Sequence, residues 1–156
     1  MPRRGWLQRG VPNPETVAAH SFGVAALAVV TASRTGADPA QAALIAVIHD
    51  LAEAITGDLT PTDGVSRSEK HLREKEATSQ ILSDLDPKGI LISAWRDYAE
   101  QRTPEGRLVK DLDKVDMALQ ADVYMQEGIP AAAELRQSAE SAICNTDTHS
   151  LLPQVD

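Results

Sequence analysis

Apolar residues recur at helical spacing along most of the chain, and clear helix boundaries separate the segments. A capping residue directly before proline is typical of a helix start, and it occurs at four places: Asn13-Pro14, Asp38-Pro39, Asp86-Pro87 and Thr103-Pro104. Glycines stand where helices should stop, at Gly36, Gly57 and Gly128. Together these signals predict helices near residues 14–35, 39–56, 66–84, 87–101, 104–127 and 130–143.

Strand signals are almost absent from the sequence. No run alternates convincingly between apolar and polar residues, and no Asn-Gly or Asp-Gly turn joins two β-branched segments. We therefore expect an all-α fold, a single bundle of about six helices. The 156 residues fit one domain, with a core over about residues 12–128 and a polar C-terminal tail over 144–156. The stretch from Gly57 to Val65 is the one long connection between core helices, and functional residues often lie on such loops.

The composition argues against several classes of protein. A formal net charge of −8 does not suit a protein that grips a nucleic acid polymer through its phosphates, although one pocket can still be locally basic and take a small anion. The lone Cys144 excludes an intramolecular disulfide and a multi-cysteine zinc site. No apolar export segment follows Arg3-Arg4, and the longest near-apolar run, FGVAALAVVTA, is too short to span a bilayer. We expect a cytoplasmic protein without a membrane partner.

The segment AVIHDLAEAITGDLTP, residues 46–61, places charged residues directly after a fully apolar run. Charged groups that enter a buried segment are costly unless they are paired or bind a metal. His49 and Asp50 are adjacent, and Glu53 follows them by four and three residues, which places its carboxylate beside both on a helix. Glu53 can act as a base next to a metal-bound water or be a surface residue of the last turn. Asp58 can simply begin a turn.

Two further residues can complete a metal site with this pair. His20 shares a helical face with Val24 and so points inward, although a single histidine on an apolar face is more often a hydrogen-bonded core residue. In the fifth predicted helix, Asp113 lies at the boundary between the apolar and the polar stripe. Two histidines and two aspartates form a ligand set that suits Mn²⁺, Co²⁺ or Fe²⁺ better than Mg²⁺ or Zn²⁺.

Four sequence blocks resemble a known family. They are PETVAAHSF, IHDLAEAITGDLTP, EKHLREKEA and TPEGRLVKDLDKVDMALQA, in this order over about residues 12–121. Their pattern resembles the HD-domain metal-dependent phosphohydrolases and, more narrowly, the HD-domain 5′-deoxynucleotidases. The resemblance implies a single HD domain, one divalent ion, and hydrolysis of deoxyribonucleoside 5′-monophosphates to deoxynucleoside and phosphate. It also implies a homodimer.

The resemblance assigns roles to individual positions. The implied metal ligands are His20, His49, Asp50 and Asp113. Asp113 is preferred to Asp111 because the family's ligand is the third residue after the lysine of LVK, and Asp111 then looks like a variable position. Glu53 matches the family's acid/base carboxylate. The loop that contacts the substrate near the scissile phosphate corresponds to Asp58, Leu59 and Thr60.

The opening RRGWLQRGV resembles the family's N-terminal arginine and tryptophan segment. In that segment an arginine orients the phosphate, and this arginine corresponds to Arg3 or Arg4 here. Arg9 is a further candidate for balancing phosphate charge. Trp6 corresponds to the tryptophan that covers the sugar or base, and it can form a close wall against a ribose 2′-hydroxyl.

Two alternatives remain open on the sequence alone. An HD phosphodiesterase or oxygenase with two metals generally needs further histidines, and only His71 lies between the His-Asp pair and Asp113, while His149 lies in the tail. A non-catalytic helical binding module would not require all four ligands and Glu53 together. The alanine-rich segment after residue 128 shows no chemical role and predicts helix packing or a dimer surface.

Overall fold

A computed structural model describes residues 1–153 of the chain, and it is built of helices. The helices are α1 Arg4–Leu7, α2 Val17–Thr35, α3 Pro39–Ile48, α4 Glu53–Thr56, α5 Arg67–Leu82, α6 Ile90–Ala99, α7 Pro104–Gln126, α8 Ala133–Ala142 and α9 Thr146–His149. Two short 3₁₀ turns lie at Pro61–Asp63 and Pro130–Ala132. Within residues 1–153 no strand forms, and Pro2 and Thr16 make one isolated antiparallel bridge. The predicted all-α class is confirmed.

Side-chain caps set several of the predicted helix starts. The Asp38 carboxylate accepts hydrogen bonds from the backbone N–H groups of residues 40 and 41, and the Thr103 and Ser66 hydroxyls cap α7 and α5 in the same way. The first long helix was predicted to begin near residue 14, which is wrong by three residues. Thr16 supplies its cap, by accepting from the N–H of Ala19.

The prediction of one continuous helix over residues 39–56 is also wrong. Helix α3 ends at Ile48, a tight turn covers residues 49–52, and the short helix α4 begins at Glu53. The turn is held by hydrogen bonds from the N–H of Leu51 to the Ile48 carbonyl and from the N–H of Glu53 to the Asp50 carbonyl, at 3.1 and 3.0 Å. Bonds of this i to i+3 spacing tighten the chain, so His49 and Asp50 lie on a turn at the end of α3.

The core lies among α2, α3, α6 and α7, which pack against one another. Small residues on α2 and α3, namely Ala28, Ala32, Ala42 and Ala46, are fully buried and allow close helix packing. Helix α2 is long and apolar enough to cross a membrane by length and composition alone. Its His20, Val24 and Ala28 are buried in this core, whereas Phe22 and Val30 on its other side are exposed, so α2 packs on the bundle through one face.

The segment after residue 128 packs on the bundle, as predicted for it. Helix α8 lies along α7, and a second apolar cluster joins both to the N-terminal segment through Trp6, Val11, Tyr124 and Ala132. The tail predicted as polar over 144–156 is anchored where it is described, because Thr148 and Leu152 are buried. Residues 154–156 of that predicted tail lie outside the described residues.

Candidate metal centre and substrate cavity

Three parts of the fold bring the four predicted ligands together. His20 comes from α2, His49 and Asp50 from the turn after α3, and Asp113 from the middle of α7. His20 Nε2 lies 3.2 Å from Asp113 Oδ1 and 3.7 Å from Asp50 Oδ2, and His49 Nε2 lies 3.1 Å from the same Asp50 oxygen. His20, His49 and Asp50 therefore face one point, with ligand atoms within 4.8 Å of one another, and Asp113 lies beside this point, against His20.

Both imidazole rings present the same nitrogen to this point. His49 Nδ1 donates to the Ala46 carbonyl at 2.7 Å, and His20 Nδ1 lies 2.7 Å from Asp116 Oδ2. The two Nε2 atoms are buried and make no hydrogen bond. Buried nitrogens are rarely left unpaired, and a metal-bound imidazole commonly has its other nitrogen held in this manner. The residues therefore fit a divalent cation bound through His20 Nε2, His49 Nε2, Asp50 and Asp113.

The charges at this point favour a bound cation. Although burial opposes it, the carboxylates of Asp113 and Asp116 raise the pKa of His20 to about 9. Burial likewise opposes ionisation of Asp50, yet His49 lowers the pKa of that carboxyl to about 2. Negative charge concentrated in a buried place must be balanced by a proton or a metal ion.

Asp113 is held in place by two donors. The Tyr98 hydroxyl donates to Asp113 Oδ2 at 2.7 Å, and Lys114 Nζ donates to the same oxygen at 3.0 Å. The other oxygen, Oδ1, faces His20. Burial and then the Asp113 charge raise the pKa of Tyr98 well above its usual value, so Tyr98 keeps its proton and remains a donor.

Glu53 lies at the first position of α4 beside the candidate metal site. It is buried, so the alternative of a surface residue on the last turn is wrong. Burial, followed by the charges of Asp50 and Asp58, raises the pKa of Glu53 to about 9. A carboxyl with such a pKa holds a proton at neutral pH and can give it up during a reaction.

The predicted substrate loop is tied to the N-terminal segment. Asp58, Leu59 and Thr60 all line the cavity in front of the site. Asp58 Oδ2 accepts the backbone N–H of Arg4 at 2.6 Å, and the Thr60 hydroxyl accepts from the Gln8 amide at 3.1 Å. These hydrogen bonds hold the loop against the N-terminal segment at α1.

The two N-terminal arginines have different surroundings. Arg3 lines the cavity, is mostly buried, and pairs with Glu15 at 3.2 Å. Burial disfavours its charge, but Asp113, Glu15 and Asp50 raise the pKa of Arg3 above its usual value. Arg4 instead pairs with Asp63 at 2.8 Å and is half exposed. Of the two candidates, the geometry favours Arg3 as the one that reaches a ligand.

Trp6 and Arg9 complete the N-terminal wall of the cavity. Trp6 is only 1% exposed, donates from Nε1 to Glu15 at 2.9 Å, and packs edge-on against Tyr124. It is therefore a fixed part of the wall with little free surface. Arg9 lies 3.4 Å from Glu134, across the cavity rim.

The cavity has a volume of about 680 Å³, which is in the range of small-molecule sites. One end holds the acidic candidate metal site. Six basic side chains also line the cavity, which are Arg3, Arg9, Arg67, Lys70, Lys110 and Lys114. His71 lines it as well, but its ring stacks on Trp95 with the centroids 5.8 Å apart and does not join the metal cluster.

Some residues of the site were missed from the sequence. Tyr98 and Asp116 orient two of the ligands, and neither belongs to a spacing pattern that indicates a metal. The one signal for Tyr98 is that a tyrosine on an apolar helix face needs a partner for its hydroxyl. Asp111, expected to be a variable position, is buried and accepts the backbone N–H groups of Cys144 and Asn145.

The fold and the site define an all-α domain with a candidate metal centre of two histidines and two aspartates at a cavity wall. The chain belongs to the HD domain family, because the family model described as HD domain matches residues 1–156. The resemblance inferred from the four sequence blocks is thereby confirmed.

The chain is also similar to curated relatives and to a solved structure. The 5′-deoxynucleotidase HDDC2 of Danio rerio is 38% identical over 83% of this chain and 66% of its own length. The protein of the same name from Mus musculus is 40% identical over 80% of this chain and 63% of its own length. This chain thus spans about two thirds or less of these relatives. A conserved hypothetical protein from Pyrococcus furiosus has 37% identity and a TM-score of 0.73, covering 91% of this chain and 81% of its own.

Proposed function

We propose that the protein is a metal-dependent phosphomonoesterase that hydrolyses deoxyribonucleoside 5′-monophosphates to deoxynucleosides and phosphate. The observation that carries the proposal is the convergence of His20 Nε2, His49 Nε2 and two aspartates at the wall of a cavity that also holds Glu53 and Arg3. The similar proteins from Danio rerio and Mus musculus are named 5′-deoxynucleotidases, which supports the choice of substrate class.

The residues at the site fit one divalent cation, with Mn²⁺, Co²⁺ or Fe²⁺ better suited than Mg²⁺ or Zn²⁺. When bound, such a cation neutralises phosphoryl charge and lowers the pKa of water. Both contributions are needed because a phosphate monoester in water is very resistant to hydrolysis.

The protein's own side chains hold the phosphate and move the proton. Arg3 projects into the cavity and can form charge-assisted hydrogen bonds with phosphoryl oxygens. Glu53, with its raised pKa, can protonate the 5′-oxygen as its bond to phosphorus breaks, while the oxygen of water bonds to phosphorus and one proton of that water passes back to Glu53. Asp58, Leu59 and Thr60 line the same cavity and would contact the substrate there, and Arg9 would balance charge at the rim.

The rigid N-terminal wall supports selection of the sugar. Trp6 cannot move easily, since it is buried, hydrogen-bonded to Glu15 and packed on Tyr124. Trp6 has little free surface of its own, so it supports the cavity wall from within, and a ribose 2′-hydroxyl pressed against that supported wall would lose its hydrogen bonds to water. We therefore expect deoxyribonucleotides to react faster than ribonucleotides, without strong preference for one base.

The remaining features of the proposal follow from the sequence and the resemblance. With a net charge of −8, the chain is proposed to act on free nucleotides and not on a nucleic acid polymer. It is proposed to work in the cytoplasm, without a membrane partner, as a homodimer.

The test is phosphate release from a panel of deoxyribonucleoside and ribonucleoside 5′-monophosphates with Mn²⁺ or Co²⁺. Glu53→Ala should lower kcat by roughly 100-fold to 10,000-fold, since it removes general acid catalysis. Glu76→Ala, at an exposed position on α5, is the matched control and should behave as the parent. Absence of phosphate release from the parent with every divalent metal and every nucleotide would refute the proposal.

A further inference from the structure

Asp116 lies next to the candidate metal site, although neither spacing nor resemblance assigns it a role. It follows Asp113 by three residues on α7. Its Oδ2 lies 2.7 Å from His20 Nδ1, on the side of the ring opposite to the cavity ligands. Asp116 therefore contacts a ligand residue without facing the ligand point itself.

The contact fixes the direction in which His20 points. The His20 side chain has no exposed surface, and its two nitrogens face two different aspartates, Asp116 at Nδ1 and Asp113 at Nε2. A carboxylate on one imidazole nitrogen sets the plane of the ring and leaves the other nitrogen free to bind a metal. His49 is oriented by the Ala46 carbonyl at its Nδ1, so each histidine has its own support.

Gly23 provides the space for this support. It lies three residues after His20 in the interior of α2, where glycine is a poor helix former. A Cβ atom at Gly23 would lie 2.2 Å from Asp116 Oδ1 and 3.1 Å from Asp116 Cγ, and the nearest atoms it would meet all belong to Asp116. Any side chain at position 23 must therefore displace this carboxylate.

We propose that Asp116 is a positioning residue that directs His20 Nε2 toward the metal, and that Gly23 is required because it leaves room for the Asp116 carboxylate. The inference rests on the proposed metal site. It adds two residues that carry no ligand atom at that site but determine how tightly it binds.

An alternative role for Asp116 is that of a direct metal ligand together with Glu15, and the surroundings of Glu15 argue against it. Glu15, His20 and Asp116 form a second group whose oxygen and nitrogen atoms lie within 4.8 Å of one another. Glu15 Oε1 is already engaged by Trp6 Nε1 at 2.9 Å and by Arg3 Nη1 at 3.2 Å. His20 Nδ1 is likewise engaged by Asp116 itself. The atoms of this group are thus bonded to one another and to donors, in contrast to the unpaired Nε2 atoms.

The test is the dissociation constant for Mn²⁺, measured by calorimetry on the parent, Asp116→Ala, Asp116→Asn, Gly23→Ala and the Gly23→Ala/Asp116→Ala double variant. Asp116→Ala should weaken Mn²⁺ binding by about 10-fold to 100-fold, the usual effect of losing such a support. Asp116→Asn should recover most of the affinity, because its amide oxygen still accepts from Nδ1. Gly23→Ala should weaken binding as Asp116→Ala does, with helix content in circular dichroism unchanged.

The double variant separates the proposal from a general loss of structure. If Gly23→Ala acts through Asp116, the double variant should bind Mn²⁺ no more weakly than Asp116→Ala alone. If the double variant shows the product of the two single fold-changes in affinity, the assignment for Gly23 is contradicted. Parent-like affinity in both Asp116→Ala and Gly23→Ala would overturn the inference while leaving the metal site intact. If Asp116→Ala does not fold, Gly23→Ala decides, with Asp116→Asn as the conservative control that should bind Mn²⁺ nearly as the parent does. A parent that binds no divalent ion would instead overturn the proposed site together with this inference.

Discussion

At the scale of single residues, the site depends on which carboxylate of α7 faces it. Asp111 and Asp113 are both buried and only two positions apart, but on a helix this separation turns the side chains about 200° from each other. Asp113 meets His20 and Tyr98, while Asp111 binds the backbone at residues 144 and 145. One carboxylate therefore serves the candidate metal site and the other anchors the C-terminal segment.

Glu53 gives the metal-free protein a specific pH dependence. Its pKa is raised to about 9 by burial and by Asp50, against an ordinary value of 4.5. The folded chain then holds a proton that the unfolded chain releases between these values, so the free energy of unfolding should fall as pH rises from 5.5 to 8.5. Glu53→Gln should flatten this fall by up to about 1.4 kcal/mol per pH unit, as expected for one proton.

The measurement is urea unfolding across that pH range in the presence of a chelator. His20, whose pKa is raised to about 9 from 6.5, contributes a loss of stability in the same direction above pH 6.5 and remains in the variant. Glu76→Gln, at an exposed position, is the control and should keep the slope of the parent. An identical slope in Glu53→Gln and the parent would show that Glu53 titrates normally.

The candidate ligand residues could be proposed from the sequence, whereas the residues that hold them in place could not. His20, His49, Asp50 and Asp113 could be proposed because imidazoles and carboxylates next to apolar runs indicate metal chemistry. The contacts of Asp116 and Tyr98 with the ligand residues depend on how α7 faces α2 and α6. The hydrophobic pattern gives the buried side of each helix but not the partner that a particular side chain meets.

At the scale of elements, the end of α3 departs most from the sequence prediction. Leu51 and Ala52 suit a helix, and the pattern predicts no break before Gly57. From this turn, Asp50 Oδ2 lies 3.7 Å from His20 Nε2 on α2 and 3.1 Å from His49 Nε2, so the break coincides with contacts to a residue distant in the sequence. Local propensity cannot report such contacts.

Helices α6 and α7 approach each other most closely at Gly106. A Cβ atom there would lie 2.0 Å from the carbonyl oxygen of Asp97, which is backbone and cannot rotate away. Gly106→Ala should therefore lower the free energy of unfolding by about 1–3 kcal/mol, the usual cost of overpacking. It should also weaken Mn²⁺ binding, because Tyr98 follows Asp97 and holds Asp113.

Urea unfolding of the metal-free protein, followed by circular dichroism, measures the effect of Gly106→Ala. Gly5→Ala is the matched control, since its Cβ would meet only Leu135 Cδ1, at 3.6 Å, and stability should stay near that of the parent. Equal stability of the Gly106→Ala variant and the parent would mean that the contact between α6 and α7 is looser than described.

At the scale of the whole molecule, an acidic chain encloses a cavity with both a cation site and basic side chains. The net charge of −8 predicts that the chain does not bind a nucleic acid polymer, but net charge says nothing about the charge inside one pocket. The N-terminal segment closes the cavity by bonds from Arg4 and Gln8 to the loop at residues 58–63. The sequence analysis did not predict this contact, because local patterns do not report which segments more than 50 residues apart meet.

The central claim is that one divalent ion binds through His20, His49, Asp50 and Asp113, and titration of the metal-free protein with Mn²⁺ tests it most directly. We expect one ion per chain in the parent, loss of binding in Asp113→Ala, and nearly unchanged binding in the neighbouring Asp111→Ala, which removes a carboxylate that faces Cys144 and Asn145. Two ions per chain, or binding that survives Asp113→Ala and fails in Asp111→Ala, would contradict the account.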